Sequence, residues 1–324
     1  MLNLVDSLKA AAEPTRLRIL SLCAGGELAV SEITQILGQS QPRVSRHLKI
    51  LADAGLLIPM REGNWTFYRL ERSENPVAAA VLTLIPADDP ILTQDQARLA
   101  EVRERRRTEA ETYFNTHAQS WDAIRRLHID ASQVEAMLLR QVPDGAFDSL
   151  LDVGTGTGEV LALLAPRVQQ AIGLDISRDM LAVARDRITG AGLSYVSLRL
   201  GDMYALPVPD HSVDLVTVHL VLHFADVPER VVAEAARVLR PGGRIIVVDF
   251  AQHTREELRT RHAHRRLGFT EAEVGDWFAQ CGLQMTRGEA LPGDPLTVMV
   301  WTADHATADT RRLTRNRVAA SPWI

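Results

Sequence analysis

The stretch Asp152-Val153-Gly154-Thr155-Gly156-Thr157-Gly158 decides the fold of the longer part of this chain. It follows the apolar pair Leu150-Leu151 and precedes the apolar run 160–164, so the pattern predicts a strand, a glycine turn and a helix. Glycines at such a junction allow positive φ and let backbone N–H groups approach a ligand closely. Because position 159 is Glu, the spacing is G-x-G-x-G and differs from the G-x-G-x-x-G of nicotinamide-binding folds.

Strand and helix patterns alternate after this turn. Alternation of this kind predicts a mostly parallel sheet with helices on both faces, which binds its ligands at the carboxyl ends of the strands. The predicted strands are 171–174, 195–200, 214–219 and 244–250, and the predicted helices are 178–188 and 227–239.

Two aspartates stand where such a sheet would bind a nucleotide-like ligand. Asp175 ends the second predicted strand, where a carboxylate can accept both hydroxyls of a ribose, and Asp202 follows the third strand near an adenine amino group. Either residue alone could equally be a helix cap or a turn residue. Together with the glycine turn, the pair favours a ligand-binding role.

With these residues, the second part of the chain resembles the class I S-adenosylmethionine-dependent methyltransferases, and most closely the small-molecule enzymes of the ubiquinone/menaquinone type. The resemblance implies a Rossmann-like α/β fold with seven strands, the last antiparallel, and S-adenosylmethionine as cofactor with S-adenosylhomocysteine as product. The matching motifs are Leu151 to Gly158, Gly173-Leu174-Asp175-Ile176-Ser177, Gly201-Asp202-Met203, Leu206-Pro207-Val208, Asp214-Leu215-Val216 and Leu239-Arg240-Pro241-Gly242-Gly243. The cofactor-binding residues implied are Asp152, Gly154, Thr155, Gly156, Gly158, Asp175, Ile176, Asp202, Met203 and His219.

The methyl acceptor is less well defined by the sequence. A base is needed only if the acceptor must lose a proton, and His219 and His223, near the end of the fourth strand, are the candidates. Candidate residues of an acceptor pocket are Tyr113, Trp121, His223, His264 and Arg265. Two plainer interpretations stay open. The helix face that carries Tyr113 and Trp121 could simply pack on the domain that follows it, and the segment that carries His264 and Arg265 could be a solvated helix rich in Arg and His. No metal site is expected.

The first 70 residues predict a winged helix. Two short helices joined at Gly38-Gln39 form a helix-turn-helix, and two strands joined at Gly63-Asn64 follow it as a hairpin. The exposed face of the second short helix, together with the wing, carries donors suited to base edges and phosphates. These candidate DNA-binding residues are Ser40, Gln41, Arg43, Ser45, Arg46, His47, Lys49, Arg61 and Asn64. A solvated helix face is the alternative for charge alone.

This part resembles the ArsR-type winged-helix repressors, through Ala12 to Leu20, Ser40 to Lys49, Leu51 and Ala54-Gly55-Leu56. The resemblance implies a homodimer on a palindromic operator in double-stranded DNA, with the apolar helix 76–85 as a dimer element. One departure matters. The segments where arsenic- and zinc-sensing members carry their ligands contain no suitable Cys, His, Asp or Glu here, so neither metal site is expected.

Composition fits a two-domain bacterial protein of the cytoplasm. The chain has 324 residues, 46% hydrophobic residues, a net charge of −5, and only Cys23 and Cys281 as cysteines, with neither a membrane span nor a signal-peptide pattern. The predicted divisions are a winged-helix DNA-binding domain at 1–86, a helical linker at 87–109, a methyltransferase domain at 110–302 and a polar tail at 303–324.

The sequence therefore predicts a DNA-binding transcriptional regulator fused to a methyltransferase that acts on a small molecule. The alternative is a non-catalytic repressor whose second domain only senses S-adenosylmethionine or S-adenosylhomocysteine and shifts DNA affinity by linkage. A metal-responsive repressor is disfavoured because its ligands are missing.

Overall fold

The computed structural model describes residues 2–24, 26, 28–62, 65–71, 75–86, 88–117, 131–293 and 296–306. The chain divides into two compact units, of which the first takes in residues 1–109 and the second almost all of the rest. Within the described ranges, no helix is long and apolar enough to cross a membrane. Asn64, Trp121 and residues 307–324 of the predicted tail lie outside these ranges.

The first unit is a winged helix around one apolar core. Its helices are α1 (Leu2–Ala11), α2 (Pro14–Cys23), α3 (Val30–Leu37), α4 (Gln41–Asp53), α5 (Pro76–Leu84) and, as far as residue 109, α6 (Pro90–His117). Its strands are β1 (Leu28–Ala29), β2 (Leu57–Glu62) and β3 (Trp65–Leu70). Helix α3 ends at Gly38, whose left-handed φ of 64° favours glycine. The predicted hairpin is confirmed, with Leu57 opposite Leu70 and Glu62 opposite Trp65. Strand β1, too short to show a period, adds a third strand beside β3.

Helix α6 begins as part of this core. The sequence predicts 87–109 as a linker, yet Leu99 and Val102 are buried among the winged-helix core residues. Nε and Nη2 of Arg18 on α2 donate to the carboxylate of Asp95, at 2.6 and 2.7 Å, and Arg98 donates to the carbonyl oxygen of Ile36 at 2.9 Å. These contacts place residues 90–109 with the first unit and attach α6 to α2 and α3.

The second unit is a seven-stranded sheet with helices on both faces. Its strands are β4 (Ser149–Val153), β5 (Gln170–Asp175), β6 (Val196–Leu200), β7 (Val213–His219), β8 (Leu239–Phe250), β9 (Leu283–Leu291) and β10 (Val298–His305). Its helices are α7 (Ala131–Gln141), α8 (Glu159–Leu164), α9 (Arg178–Gly190), α10 (Pro228–Val238), α11 (Glu257–His262) and α12 (Glu271–Gln280), with short 3-10 turns at Ala165–Arg167 and Leu222–Phe224.

The strand order is β6-β5-β4-β7-β8-β10-β9. Strands β4 to β8 are parallel, and β10 runs antiparallel to β8 and β9, so the predicted seven-stranded, mostly parallel sheet is confirmed. Two boundaries differ from the prediction. Strand β8 begins at Leu239 because pairing with β7 continues across the Pro241-Gly242-Gly243 turn, and β10 takes the first three residues of the predicted tail. The carboxyl ends of β4 to β8 share one edge, which positions the site.

The Arg18–Asp95 ion pair predicts how much α6 contributes to the first unit. Arg18→Met should lower the free energy of unfolding by about 3 kcal/mol, because it leaves the carboxylate of Asp95, only 2% exposed, without its partner. Urea denaturation of the full chain measures this change. The double variant Arg18→Met/Asp95→Leu removes both charges and should recover most of the loss. A single variant as stable as the wild type would contradict the role given to this pair.

Candidate functional site

The glycine turn between β4 and α8 has a backbone that requires glycine. Gly154, Gly156 and Gly158 have φ values of 70°, 54° and 75°, in the left-handed region. A Cβ at Gly154 would overlap the side chain of Val221, and a Cβ at Gly158 would lie 3.0 Å from the Cβ of Ala184. The turn is therefore closely packed against Val221 and Ala184. Because its glycines have no side chains, a ligand at this turn would meet backbone groups.

The carboxylate of Asp175 joins this turn to the end of β5. Oδ2 of Asp175 accepts a hydrogen bond from the backbone N–H of Gly156 at 2.8 Å, and Oδ1 accepts one from the N–H of Ser177 at 2.9 Å. Burial raises the pKa of Asp175, and the backbone N–H bonds from Ser177, Gly156 and Ile176 act in the opposite direction. Each carboxylate oxygen can accept a further hydrogen bond, so Asp175 can still hold a hydroxyl group.

Asp202 lies one strand further along the same edge. The N–H of Gly201 donates to the carbonyl oxygen of Asp175 at 2.9 Å, so the ends of β5 and β6 are tied together. Oδ1 of Asp202 accepts from the N–H of Tyr204 at 2.9 Å. Ile176 and Met203, the predicted neighbours of the two aspartates, are both half-buried. The structure thus brings both predicted carboxylates to one edge.

Two other predicted cofactor residues are turned into the sheet. Asp152 is buried, and its carboxylate accepts a hydrogen bond of 2.6 Å from the hydroxyl of Thr217 on β7. Thr155 is also buried, and its N–H donates to the carbonyl oxygen of Leu174 at 2.9 Å. For Asp152 and Thr155, these contacts indicate a part in holding β4, β5 and β7 in register behind the turn.

The two candidate bases differ in their surroundings. His219 is the last residue of β7 and is half-buried. His223 lies in the 3-10 turn beyond it, is 2% exposed, and contacts Oδ1 of Asp249 through its Nδ1 at 2.8 Å. Between them, Leu220 has a φ of 56°, a strained value for leucine, and its N–H donates to the carbonyl oxygen of Val248. The structure therefore pairs His223 with the buried carboxylate of Asp249.

The predicted acceptor residues are only partly brought together. His264 stacks on His223, with 4.1 Å between the ring centroids, and the N–H of Arg265 donates to the carbonyl oxygen of His223 at 2.7 Å. The guanidinium of Arg265 is paired with Asp226 at 3.1 Å. Tyr113 lies on α6 but its side chain is not described, and Trp121 falls outside the described residues. Neither aromatic residue can be placed at the site.

Sequence reasoning missed two residues of this edge. Asp249 is the penultimate residue of β8, close to a strand end as Asp175 and Asp202 are, so the same strand-end rule could have found it. Val221 packs against Gly154, and no sequence signal points to that contact. A further aromatic pair, Phe114 with Phe224, meets edge to face at 4.8 Å between centroids.

Helix α4 exposes most of the predicted DNA-binding side chains. Val44, Leu48 and Leu51 bury one face of the helix in the core of the first unit. The opposite face leaves the following predicted residues exposed: Ser40, Gln41, Arg43, Ser45, Arg46 and Lys49. Arg61 on β2 is exposed as well, whereas Asn64 lies outside the described residues.

His47 differs from the prediction. Its side chain is 13% exposed, and its Nδ1 lies 3.5 Å from Oε2 of Glu13. Glu13 caps the start of α2 by accepting from the N–H of Arg16 at 2.9 Å. His47 is therefore turned toward α2 and away from the exposed face, because position 47 falls between the buried stripe and the open one.

Comparison with known proteins identifies the first unit. Residues 13–58 match the family described as bacterial regulatory protein, arsR family, and this range contains α4. The arsenic resistance transcriptional regulator ArsR1 of Pseudomonas putida is 44% identical over 100 residues, which are 30% of this chain and 77% of that protein. The chain belongs to the arsR family.

The arsR-family chain continues into a methyltransferase domain. Residues 151–247 match the family described as methyltransferase domain, and malonyl-[acyl-carrier protein] O-methyltransferase of Methylococcus capsulatus is 38% identical over 112 residues, 34% of this chain and 40% of that enzyme. The chain spans 40 to 50% of the length of the first curated methyltransferases it matches. In the structure of a Haloferax volcanii methyltransferase with its Trm112 activator, one chain shares the fold, with a TM-score of 0.51 and 21% identity over 60% of this chain and 97% of that one.

Among the side chains that the structure describes, no three His, Cys, Asp or Glu residues lie together as the ligands of one ion would.

The packing at Gly154 yields a prediction with a matched control. Gly154→Ala should lower the free energy of unfolding for two reasons. Its left-handed φ is unfavourable for alanine, and overlap of the new Cβ with Val221 should cost about 1–3 kcal/mol more. Gly192→Ala is the control, because Gly192 has nearly the same φ, 71°, and nothing within 4 Å of its added Cβ. Chemical denaturation gives both values. The double variant Gly154→Ala/Val221→Ala should approach the control, and equal costs for the two single variants would refute the contact.

Proposed function

We propose that the protein is an operator-binding regulator whose second domain binds S-adenosylmethionine and transfers its methyl group to a small molecule. The observation that carries the proposal is the bond from Gly156 to Asp175, which fixes a buried carboxylate beside a turn of left-handed glycines. Similarity of the second domain to methyltransferases supports catalysis over a purely sensing role.

The residues at this edge fit the cofactor. The glycine turn follows the carboxyl end of β4, where its backbone groups can face the methionine part. Asp175 accepts the ribose hydroxyls, and Asp202 with Ile176 and Met203 holds the adenine. His219, at the end of β7, completes this set. The cofactor supplies a methyl group on a sulfonium that is already an activated leaving group.

The protein itself has three tasks in such a reaction. It must align the acceptor with the methyl group, exclude water, and take a proton from the acceptor where the acceptor carries one. His223 and His264 lie together at the end of β7, and Arg265 is held beside them. We place the acceptor on this side of the site.

The first unit is proposed to bind a palindromic operator as a homodimer. Helix α1 exposes Leu4, Val5 and Leu8, at 49%, 47% and 46%, and Leu84 at the end of α5 is 79% exposed. Exposed apolar side chains on these two helices suit an interface with a second copy. The sequence prediction named only the α5 segment, so α1 is an addition. We place the protein in the bacterial cytoplasm, where operator DNA is found.

The ribose role of Asp175 is tested by calorimetry. Asp175→Ala should weaken binding of S-adenosylmethionine and of S-adenosylhomocysteine about tenfold or more, since hydrogen bonds to a charged group are worth about 1.5–3 kcal/mol. Asp186→Ala, at an exposed aspartate of α9, is the control and should bind normally. Because burial raises the pKa of Asp175, wild-type affinity should begin to fall on acidification at a higher pH than an exposed aspartate would give. Unchanged affinity in Asp175→Ala would remove the ribose role.

Operator binding is tested with a duplex selected from random sequences by the wild-type chain. Arg46→Ala should weaken binding about tenfold or more, because a side chain contact to a base edge is worth about 1–3 kcal/mol. Arg185→Ala, an exposed arginine of α9, should leave binding unchanged. A mobility shift gives the affinity, and its stoichiometry should show two chains per duplex. An unaltered shift for Arg46→Ala would exclude this residue from the DNA face.

A further inference from the structure

The buried pair His223 and Asp249 has the geometry of a base and its orienting carboxylate. Nδ1 of His223 lies 2.8 Å from Oδ1 of Asp249, and the backbone N–H of His223 donates to Oδ2 of the same carboxylate at 3.2 Å. The side chains are 3% and 0% exposed. One carboxylate therefore holds the histidine at two points and fixes the orientation of its ring.

The remaining contacts of Asp249 determine which ring nitrogen carries the proton. Oδ1 of Asp249 also accepts from the N–H of Phe250 at 2.8 Å, so this carboxylate acts as an acceptor toward every group around it. An accepting carboxylate places the imidazole proton on Nδ1 and leaves a lone pair on Nε2. Among the described residues, none is hydrogen-bonded to Nε2 of His223. That nitrogen is the one able to accept a proton.

The pair lies on the cofactor side of the sheet. Strands β7 and β8 are parallel to β4, and Asp249 stands at the carboxyl end of β8. Val221, which packs against Gly154 of the glycine turn, comes two residues before His223. The 3-10 turn that carries His223 therefore directly follows a residue in contact with the proposed cofactor turn.

Aromatic rings surround the histidine. Its ring centroid lies 4.1 Å from Phe224, 4.1 Å from His264 and 5.1 Å from Phe250. The titratable and charged groups facing it are Asp249 from β8 and His264, with the neighbouring Arg265 paired to Asp226. Flat apolar surfaces around one polar nitrogen favour a planar ring in the acceptor.

We propose that His223 is the general base of the methyl transfer, that Asp249 is its positioning residue, and that the acceptor is an aromatic hydroxyl compound. This inference rests on the proposed function. The acceptor O–H bond breaks and its proton joins Nε2 of His223, while the O–CH₃ bond forms as the S–CH₃ bond breaks and the sulfonium becomes a neutral thioether. The positive charge of the protonated imidazole is balanced by the negative charge of Asp249, so the pair is neutral after it has taken up the proton.

The class of acceptor follows from what the pair can do. A carboxylate acceptor is ionised at neutral pH and needs no base, whereas a phenolic hydroxyl, with a pKa of about 10, keeps its proton and must lose it during transfer. A neutral amine has its own lone pair for attack. An oriented imidazole in an aromatic setting therefore matches a hydroxyl on a ring better than either alternative.

The first test measures proton transfer without turnover. para-Nitrophenol, whose anion is yellow, is added to the full chain saturated with S-adenosylhomocysteine, at a mildly acidic pH where the free probe is mostly protonated. The wild type should bind it largely as the anion. His223→Asn should bind it at least tenfold less as the anion, because the Asn amide can keep the bond to Asp249 but offers no base. A wild-type complex that binds no probe, or binds it uncoloured, overturns the proposal.

The matched control is His211→Asn. His211 is an exposed histidine just before β7, at the opposite edge of the sheet from His223, and asparagine tolerates its positive φ of 50°. It should behave as the wild type in the same titration. Both variants should bind S-adenosylhomocysteine with wild-type affinity by calorimetry. Loss of the coloured anion in His211→Asn as well would also overturn the assignment to His223.

The second test follows labelled methyl from S-adenosylmethionine into naphthol, naphthylamine or naphthoate. Label should enter naphthol, and His223→Asn should lower the initial rate about 100-fold or more. Asp249→Asn should lower it and change the pH–rate profile, which a merely structural role would leave alone. Transfer only to naphthylamine or naphthoate, transfer to none of the three, or an unchanged rate in His223→Asn overturns the inference. Failure of the proposed function is seen separately, as a wild type that binds no cofactor in the calorimeter.

Discussion

The hydrogen bond between the N–H of Gly156 and the carboxylate of Asp175 is the constraint on which the second domain depends. It joins the turn after β4 to the end of β5, and the bond from Gly201 to Asp175 extends the link to β6. Turns with left-handed φ are costly for residues other than glycine, and this bond holds such a turn in place. A buried carboxylate at a sheet edge is itself costly, as its raised pKa shows, and three backbone N–H groups offset that cost.

Helix α6 has the corresponding role in the first domain. Its Asp95 is buried against Arg18, and its Arg98 satisfies a carbonyl oxygen near the end of α3. Hydrogen bonds to Asp95 raise the pKa of Arg18, in keeping with a pair that is charged in the folded state. Helix α4, which we propose faces DNA, packs against α2 and α3, so its position depends on the elements that α6 holds. This arsR-type winged helix lacks metal ligands in the segments where the family resemblance would place them. It is supported by α6, which follows the hairpin in the sequence.

Much of this architecture could be predicted because it rests on local signals. Gly38 and Pro42 mark helix boundaries, and the fusion of a winged helix with a class I methyltransferase domain is confirmed. The burial of Leu99 and Val102 in the winged-helix core could not be predicted, because a charged helix with few apolar residues resembles a solvated one in sequence. His47 was expected on the DNA face, yet its side chain lies beside Glu13, since helical periodicity does not resolve a residue at the border of two faces.

The sequence by itself determined the two domain types, the glycine turn, and the strand-end aspartates Asp175 and Asp202, because each is encoded within a few neighbouring residues. Only the tertiary structure decided that Asp152 is bonded to Thr217 inside the sheet and that His223 is paired with Asp249. His223 and Asp249 are far apart along the chain and meet only because β7 and β8 are adjacent parallel strands. Strand order is a property of the whole sheet, so contacts across it are not written in any one segment.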